Sequence, residues 1–355
     1  MPSQFMVDIE GTELSNIERE LLAHPNVGAV ILFTRNFINP EQLAQLTAEI
    51  RSINPALFIA VDHEGGNVQR FQRQGFSSIP AARSYGKVYD LHQEVGLAHA
   101  QEYGKIMAQE LLAHDIDLSL APVLDLEGNS RVIGGLDRAF HSAPDAAAAL
   151  AGAFIQGMND AGMPAVGKHF PGHGSIVSDS HIAMPTSSAS LEELEAKDLK
   201  PFSELISKDL LTAVMPAHVT YEAIDKNNPA GFSKVWLHTI LRTKLGFKGL
   251  VLSDCLSMKG ADIGNLKTRA ERALNAGCDM LIVCHQPREL LLQLLHSPSI
   301  EQTSESAVRI SAFKKQMPRF SKGPISPYSL YERNAVDKAQ VIAGPNDEFN
   351  KTVEI

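Results

Sequence analysis

One segment of the chain concentrates side chains that can transfer protons. It reads Lys168-His169-Phe170-Pro171-Gly172-His173-Gly174, and Asp179-Ser180-His181 follows shortly after. Because proline and glycine in this run do not continue a strand or a regular helix, we predict a long loop carrying these histidines. Asp179 and His181 are two residues apart, so the carboxylate can accept a hydrogen bond from the imidazole. Such a partner fixes the tautomer of the ring and raises its pKa, which prepares it for proton transfer.

Two other segments place carboxylates where apolar runs end. Gly249–Leu252 leads through a serine into Asp254, and a carboxylate at a rigid strand end is well placed to be a nucleophile. Ile59–Val61 leads into Asp62, whose carboxylate can accept hydrogen bonds from two sugar hydroxyls. A helix cap or a turn is the alternative role for each aspartate.

The elements that must position these side chains alternate along the chain. About eight nearly continuous apolar runs are separated by helix-like stretches, which indicates βαβ units and a parallel sheet covered on both faces. The runs are Phe5–Ile9, Val27–Phe33, Leu57–Val61, Leu118–Val123, Pro164–Gly167, Thr212–Met215, Gly249–Leu252 and Asp279–Val283. The helix-like stretches include Asn39–Ile53, Glu94–His114, Ala143–Ala161, Leu191–Ser207 and Thr268–Ala276.

The distribution of polar residues favours a barrel over a doubly wound open sheet. Reactive residue types follow many different runs, Asp125 and His218 among them. A barrel gathers all strand C-termini on one rim, whereas an open sheet concentrates its site at one switch point. We therefore predict an α/β fold, a single (β/α)₈ TIM-type barrel over residues 1–298. Residues 299–355 are expected to form a C-terminal tail, packed on the barrel or partly mobile.

Composition excludes several classes of protein. The 32 basic and 41 acidic residues give a net charge of −9, which argues against a nucleic-acid partner. No uninterrupted apolar stretch approaches about 18 residues and no signal peptide is evident, so we expect no membrane partner and a cytoplasmic location. The three cysteines include no CxxC pair, which argues against a disulfide framework and a zinc ribbon.

The histidine-rich segment also allows a metal site. His169, His173, Asp179 and His181 are potential ligands, although their spacing is not that of an HExxH motif and no cysteine contributes. A metal-dependent barrel hydrolase using His169, His173 and Asp179 is therefore kept as an alternative.

The three segments together resemble one family closely. VDHEGG with VQRF, then KHFPGHG with DSH, then LSDCLSMKGA are similar to the family three glycoside hydrolases. Within that family the chain resembles the single-domain bacterial β-N-acetylglucosaminidases (β-N-acetylhexosaminidases) of peptidoglycan recycling. The resemblance extends from about Phe5 to Val283. Other members carry a second domain that supplies a carboxylate acid/base, and this chain is too short for one.

The resemblance implies a reaction and a role for each matching residue. Asp254 is implied as the nucleophile, and His181, held by Asp179, as the general acid/base on a mobile loop. The reaction is retaining hydrolysis of terminal non-reducing β-N-acetylglucosamine from muropeptide fragments, within cell wall biogenesis and carbohydrate metabolism. It implies no metal and no organic cofactor, and we expect a monomer. The residues implied to bind the sugar at the cleavage subsite are Asp62, Arg70, Arg138, Lys168 and His169.

Three departures from the family pattern stand out. Asn67 replaces an arginine, Gly135-Leu136 looks like a small insertion before Arg138, and Cys255 follows the nucleophile where a small or acidic residue is usual. Two other functions stay open. A non-catalytic amino-sugar-binding protein would show no turnover. A phosphorylase is possible because a histidine acid/base leaves less negative charge near the anomeric carbon than a glutamate would.

Overall fold

The computed structural model describes residues 4–72, 74–176, 185–297 and 303–322 of the 355-residue chain. Eight strands, all paired in parallel, form the centre of the molecule. They are β1 Phe5–Asp8, β2 Val27–Leu32, β3 Phe58–Val61, β4 Leu118–Ser119, β5 Val166–Phe170, β6 Ala213–Pro216, β7 Leu250–Val251 and β8 Leu281–Val283.

The strands lie in the order expected of a barrel. One sheet has the order β8-β1-β2-β3-β4, and a second has the order β7-β6-β5. The two sheets meet through single bridges, Val123 to Lys168 on one side and Leu252 to Met280 on the other. The hydrogen-bonded pairing between strands is therefore interrupted at two places, but the sequence of neighbouring strands forms a closed circle. The predicted α/β fold, a (β/α)₈ TIM-type barrel, is confirmed.

Helices follow the strands along the chain. The capping box of Ser15 and Glu18 begins the first helix, and Asn39 caps the second, whose first residue is Pro40. The helices are α1 Asn16–Ala23, α2 Pro40–Ile53, α3 Ala82–Leu91, α4 Gln93–Ala113, α5 Pro144–Ala161, α6 Leu191–Ala196, α7 Lys200–Ser207, α8 Glu222–Asp225, α9 Leu266–Ala276, α10 Arg288–Leu295, α11 Ser304–Lys314 and α12 Pro318–Lys322. A π-helical segment, Val235–Lys244, lies between α8 and β7.

One predicted helical stretch is divided. Leu191–Ser207 forms two helices, α6 and α7, separated by a short turn. Pro201 lies in the first turn of α7, where its missing N–H costs nothing, so the chain starts a second helix there. Among the described residues, no helix is both long and apolar enough to cross a membrane.

The barrel interior is closed at the N-terminal ends of the strands by α11. Phe313, which is 1% exposed, and Ile310 join the same apolar cluster as the inward-facing strand residues Met6 and Phe58. Arg309 donates a hydrogen bond from Nε to Oδ1 of Asp279, just before β8, and its Nη2 lies 2.8 Å from the same oxygen. Residues 303–322 of the predicted tail therefore pack on the barrel, while the predicted boundary between residues 298 and 299 stays a prediction.

Candidate active site

Lys168 and His169 lie within a strand, which corrects the prediction that they belong to the loop after it. The strand was expected to end at Gly167, but β5 continues to Phe170. Lys168 pairs with Met215 on β6 and bridges to Val123 on the other side. Pairing with β6 extends β5 to Phe170, the residue before Pro171. The charge of Lys168 is tolerated in this strand because two carboxylates neutralise it.

Those carboxylates belong to Asp62 and Glu64, after β3. Lys168 Nζ donates to Asp62 Oδ1 at 2.9 Å and lies 2.6 Å from Glu64 Oε1. Arg138 donates from Nε and Nη2 to the two oxygens of Glu64, each at 2.8 Å. Arg70 Nη2 lies 3.8 Å from Asp62 Oδ2, so four of the predicted sugar-binding residues share one charge network. Side-chain exposure rises from 3% at Lys168 to 22% at Asp62 and 31% at Arg70, so the network opens to solvent on that side.

The acids and bases of this network keep one another ionised. Burial alone would raise the pKa of Glu64, but the charges and hydrogen bonds of Arg138 and Lys168 outweigh it and hold that pKa well below its usual range. Burial would likewise lower the pKa of Lys168, but Asp62 and Glu64 raise it. Both side chains are therefore charged at neutral pH, and the network presents fixed donors and acceptors.

The positions that depart from the family pattern near Arg138 contact each other. Gly134–Leu136 forms a short 3₁₀ turn, and Asp137 ends it with a left-handed φ of 55°. The Asn67 side-chain amide donates to the Leu136 carbonyl at 3.4 Å, and Arg138 Nη1 donates to the Val132 carbonyl at 3.0 Å. The turn therefore places Arg138 within hydrogen-bond distance of Glu64, although Gly135 and Leu136 precede it as a small insertion.

A second cluster forms around Asp125, which follows β4 and is 1% exposed. Its Oδ2 accepts a hydrogen bond from His169 Nδ1 at 2.7 Å, and its Oδ1 accepts one from the His173 backbone N–H at 2.9 Å. Burial would raise the pKa of Asp125, but His173 and His169 hold it below its usual range. A carboxylate at Nδ1 fixes the tautomer of His169 and leaves Nε2 for a ligand.

The same three side chains are the metal-binding candidate among the described residues. Asp125, His169 and His173 each offer one ligand atom, and these atoms lie within 4.8 Å of one another. The hydrogen bond from His169 Nδ1 to Asp125 Oδ2 already holds two of these side chains in place. Asp179, the third ligand of the metal hypothesis, lies outside the described residues.

Asp254 follows β7 on the same rim and is partly exposed. The Cys255 backbone N–H donates to Asp254 Oδ1 at 2.7 Å and so orients the carboxylate. Burial lowers the pKa of both His173 and His218, and the charge of Asp254 opposes this effect at each of them. Asp254 is therefore close to the Asp125 cluster. The predicted acid/base pair, Asp179 and His181, falls between residues 176 and 185, outside the described part of the chain.

No site role is predicted from the sequence for Glu64, Asp125 or His218, although all three are reactive residue types that follow apolar runs. Their position after an apolar run is the sequence signal that could have identified them, since every strand of a barrel ends on the same rim. Their partners could not be deduced, because each contact joins residues far apart in sequence.

Comparison with known proteins identifies the family. Residues 4–313 match the glycosyl hydrolase family 3 N terminal domain. The chain belongs to glycosyl hydrolase family 3. A β-hexosaminidase from Shewanella frigidimarina is 55% identical over 284 residues, which are 80% of this chain and 82% of that protein. The predicted family membership is confirmed, and this family 3 protein is a glycosidase.

Solved structures agree with this assignment. NagZ from Neisseria gonorrhoeae, in complex with zinc ion, has a TM-score of 0.83 and 41% identity, and the match covers 96% of this chain and 94% of NagZ. A second structure of NagZ from the same organism, in complex with N-trifluoroacetyl-D-glucosamine, has a TM-score of 0.80 and 41% identity. That match covers 93% of this chain and 98% of NagZ.

Proposed function

We propose that this family 3 glycosidase is a retaining β-N-acetylhexosaminidase that removes terminal non-reducing β-N-acetylglucosamine from muropeptide fragments. The observation that carries the proposal is the network of Lys168 and Arg138 with Asp62 and Glu64, on the rim that also carries Asp254. Support for the sugar comes from relatives named β-hexosaminidase and from a similar NagZ bound to an N-acylated glucosamine.

In this proposal the charge network binds the sugar. Lys168 and Arg138 supply charged hydrogen-bond donors, which are stronger than neutral ones. Asp62 and Arg70 form the more exposed end, where a carboxylate and a guanidinium can pair with hydroxyls. Asp125 holds His169 at Nδ1, so Nε2 of His169 is the atom that hydrogen-bonds to the sugar. Because these groups are fixed before the sugar arrives, little ordering is required on binding.

The reaction proceeds in two displacements at the anomeric carbon. Asp254 attacks that carbon, forming a covalent glycosyl ester, while His181 gives its proton to the departing oxygen. Water then attacks the same carbon, His181 takes a proton from it, and the bond to Asp254 breaks. Asp179 holds the ring of His181 and stabilises its charged form. Configuration is retained because two inversions occur.

The remaining parts of the proposal concern the setting of the enzyme. We place it in the cytoplasm as a monomer, acting on small muropeptides in peptidoglycan recycling, with no cofactor. These points come from composition and from the resemblance.

Substrate and nucleophile are tested together. The enzyme should hydrolyse an aryl N-acetyl-β-glucosaminide and release N-acetylglucosamine from muropeptide fragments, with little action on the matching aryl β-glucoside. Asp254→Ala should lose several orders of magnitude in rate while staying folded. Equal rates on the two aryl glycosides would overturn the substrate, and an Asp254→Ala variant retaining more than about a tenth of the rate would overturn the nucleophile.

The acid/base is tested with a series of leaving groups. His181→Ala should lose about 10²–10⁴-fold on substrates with poor leaving groups and much less on activated aryl glycosides, which depart without a proton. Asp179→Asn should show a milder version of the same pattern. A flat dependence on leaving-group pKa, with glycosylation rate-limiting, would remove His181 from this role.

A chelator separates the proposal from the metal-dependent alternative. Activity should be unchanged by removal of metal ions. Loss of activity with a chelator, and its recovery on adding zinc, would favour a metal at Asp125, His169 and His173.

A further inference from the structure

Two of the three cysteines lie side by side at the rim, next to Asp254. Cys255 follows β7 and Cys284 follows β8, and these strands are bridged at Leu252 and Met280. The Leu256 N–H donates to the Ile282 carbonyl at 2.9 Å, which holds the two chain segments together. Cys284 belongs to the apolar cluster inside the barrel and Cys255 packs against the same cluster, so the two thiols lie on the same face of these strands.

The two sulfurs differ in access. Cys284 is 2% exposed and belongs to the apolar cluster inside the barrel. Cys255 is only partly buried and packs against that cluster from the side of Asp254. Cys255 is therefore the more accessible residue of the pair.

The pair is also electronically asymmetric. The neighbouring Cys284 thiol lowers the pKa of the Cys255 thiol, against the effect of burial, whereas the Cys255 thiol and burial raise the pKa of Cys284. Cys255 is thus the thiol that ionises first. Since the thiolate is the nucleophile in exchange reactions, Cys255 reacts first with a disulfide.

We propose that Cys255 and Cys284 form a redox-sensitive dithiol that closes to a disulfide beside Asp254 when a low-molecular-weight disulfide is present. The Cys255 thiolate attacks one sulfur of that molecule, forms a mixed disulfide and expels one thiolate. The Cys284 thiol then loses its proton, attacks the Cys255 sulfur and expels the second thiolate. The two cysteines lose two electrons and two protons, and the small disulfide becomes two thiols.

Closure acts on the active site through the backbone of Cys255. A disulfide brings the sulfurs to about 2.05 Å, much closer than two separate thiols approach. The Cys255 side chain is drawn toward Cys284, and the N–H of the same residue donates to Asp254 Oδ1 at 2.7 Å. Displacement of a reacting group by about 1 Å costs up to about a hundredfold in rate, so the oxidised enzyme should be about tenfold to a hundredfold slower.

The modification is tested by mass spectrometry on the full-length protein treated with oxidised glutathione. The wild-type protein should lose two hydrogen masses, and digestion after blocking free thiols should give one linked peptide pair containing Cys255 and Cys284. Cys284→Ala should instead keep a glutathione adduct on Cys255. Cys278→Ala is the matched control, because this buried thiol donates to the Gly231 carbonyl at 3.6 Å, and it should behave as wild type.

The outcome separates this inference from the proposed function. A lasting adduct on wild-type Cys255, a cross-link to Cys278, or no change in mass would overturn the dithiol, whatever the enzyme acts on. If the linked pair forms, hydrolysis of an aryl N-acetyl-β-glucosaminide should fall and recover with dithiothreitol. An unchanged rate with the pair fully linked would overturn the link between the dithiol and Asp254.

Discussion

Glu64 accepts hydrogen bonds from two nitrogens of Arg138, Nε and Nη2, each at 2.8 Å. The paired geometry fixes the plane of the guanidinium as well as its position. Lys168 lies against the same carboxylate at 2.6 Å, and only 8% of the Glu64 side chain is exposed. One buried acid therefore positions two of the cations that we assign to sugar binding.

Removing the charge of Glu64 should affect both stability and binding. Breaking a buried ion pair by neutralising one partner costs about 3–5 kcal/mol, so Glu64→Gln should lower the free energy of unfolding by about 3 kcal/mol. Its KM for an aryl N-acetyl-β-glucosaminide should rise, because Arg138 and Lys168 are no longer held. Urea denaturation and steady-state kinetics measure the two effects.

The control for Glu64 is Glu127→Gln. Glu127 pairs with Arg83 at 2.8 Å and its side chain is 33% exposed, so its loss should cost no more than about 1 kcal/mol. Equal destabilisation by the two variants would show that the Glu64 network contributes no more than a surface ion pair.

Asp198 should make the fold less stable as pH rises. Burial, followed by the negative charge of Asp125, raises the pKa of Asp198 to about 6. Because the folded-state pKa lies above the unfolded one, near 3.9, the stabilising effect of its proton is complete below that value and lost as pH rises through about 6. A shift of about two units corresponds to about 3 kcal/mol.

Replacing Asp198 should remove this penalty. Asp198→Asn should be more stable than the wild type at pH 7.5, by up to about 3 kcal/mol, and the gain should disappear near pH 4. Denaturation at a series of pH values tests this. Asp145→Asn, at an exposed carboxylate paired with Lys200, should show no gain. A gain independent of pH would exclude ionisation of Asp198 as the cause.

Asp125 should show the opposite dependence on pH. His173 and His169 hold its pKa below the usual range against burial, so its contribution to stability is present above the unfolded pKa, near 3.9, and lost as pH falls. Asp125→Asn should therefore destabilise the protein at pH 7, and the difference from the wild type should shrink in acid. A difference that stays constant from pH 7 to pH 3 would contradict this assignment.

Phe313 should be essential to the barrel although it lies far from the rim. It is 1% exposed and packs edge-on against Phe58, with ring centroids 6.2 Å apart. Phe313→Ala should lower the free energy of unfolding by about 3–5 kcal/mol, the usual cost of emptying a buried phenylalanine site. Val308→Ala, on the same helix but 67% exposed, should change it by no more than about 0.5 kcal/mol. Thermal or urea denaturation compares them.

The sequence predicted the strands well because their apolar runs are continuous and their spacing is regular. The loop predicted from proline and glycine began at Lys168, whereas the strand includes Lys168 and His169 and ends at Phe170. The compensating acids, Asp62 and Glu64, are about a hundred residues away in the chain, and nothing local to β5 reveals them.

The candidate site was predictable only in part. Asp62, Arg70, Arg138, Lys168 and His169 are predicted to bind the sugar because their motifs resemble a known family. Asp125 was noted only for its position after an apolar run, since its role depends on two histidines that reach it across the rim. The packing of α11 had no sequence signal of its own, because Ile310 and Phe313 fill a space that exists only once the barrel has formed.

The position of α11 also bears on how the protein is made. Synthesis proceeds from the N-terminus, so all eight strands leave the ribosome before Phe313 does. Until then, Phe58 and its neighbours at the open end of the barrel face water, and the chain carries an exposed apolar surface of the kind that chaperones bind. A ribosome that stalls shortly before Ser304 therefore presents a nearly complete barrel that cannot yet seal its own core.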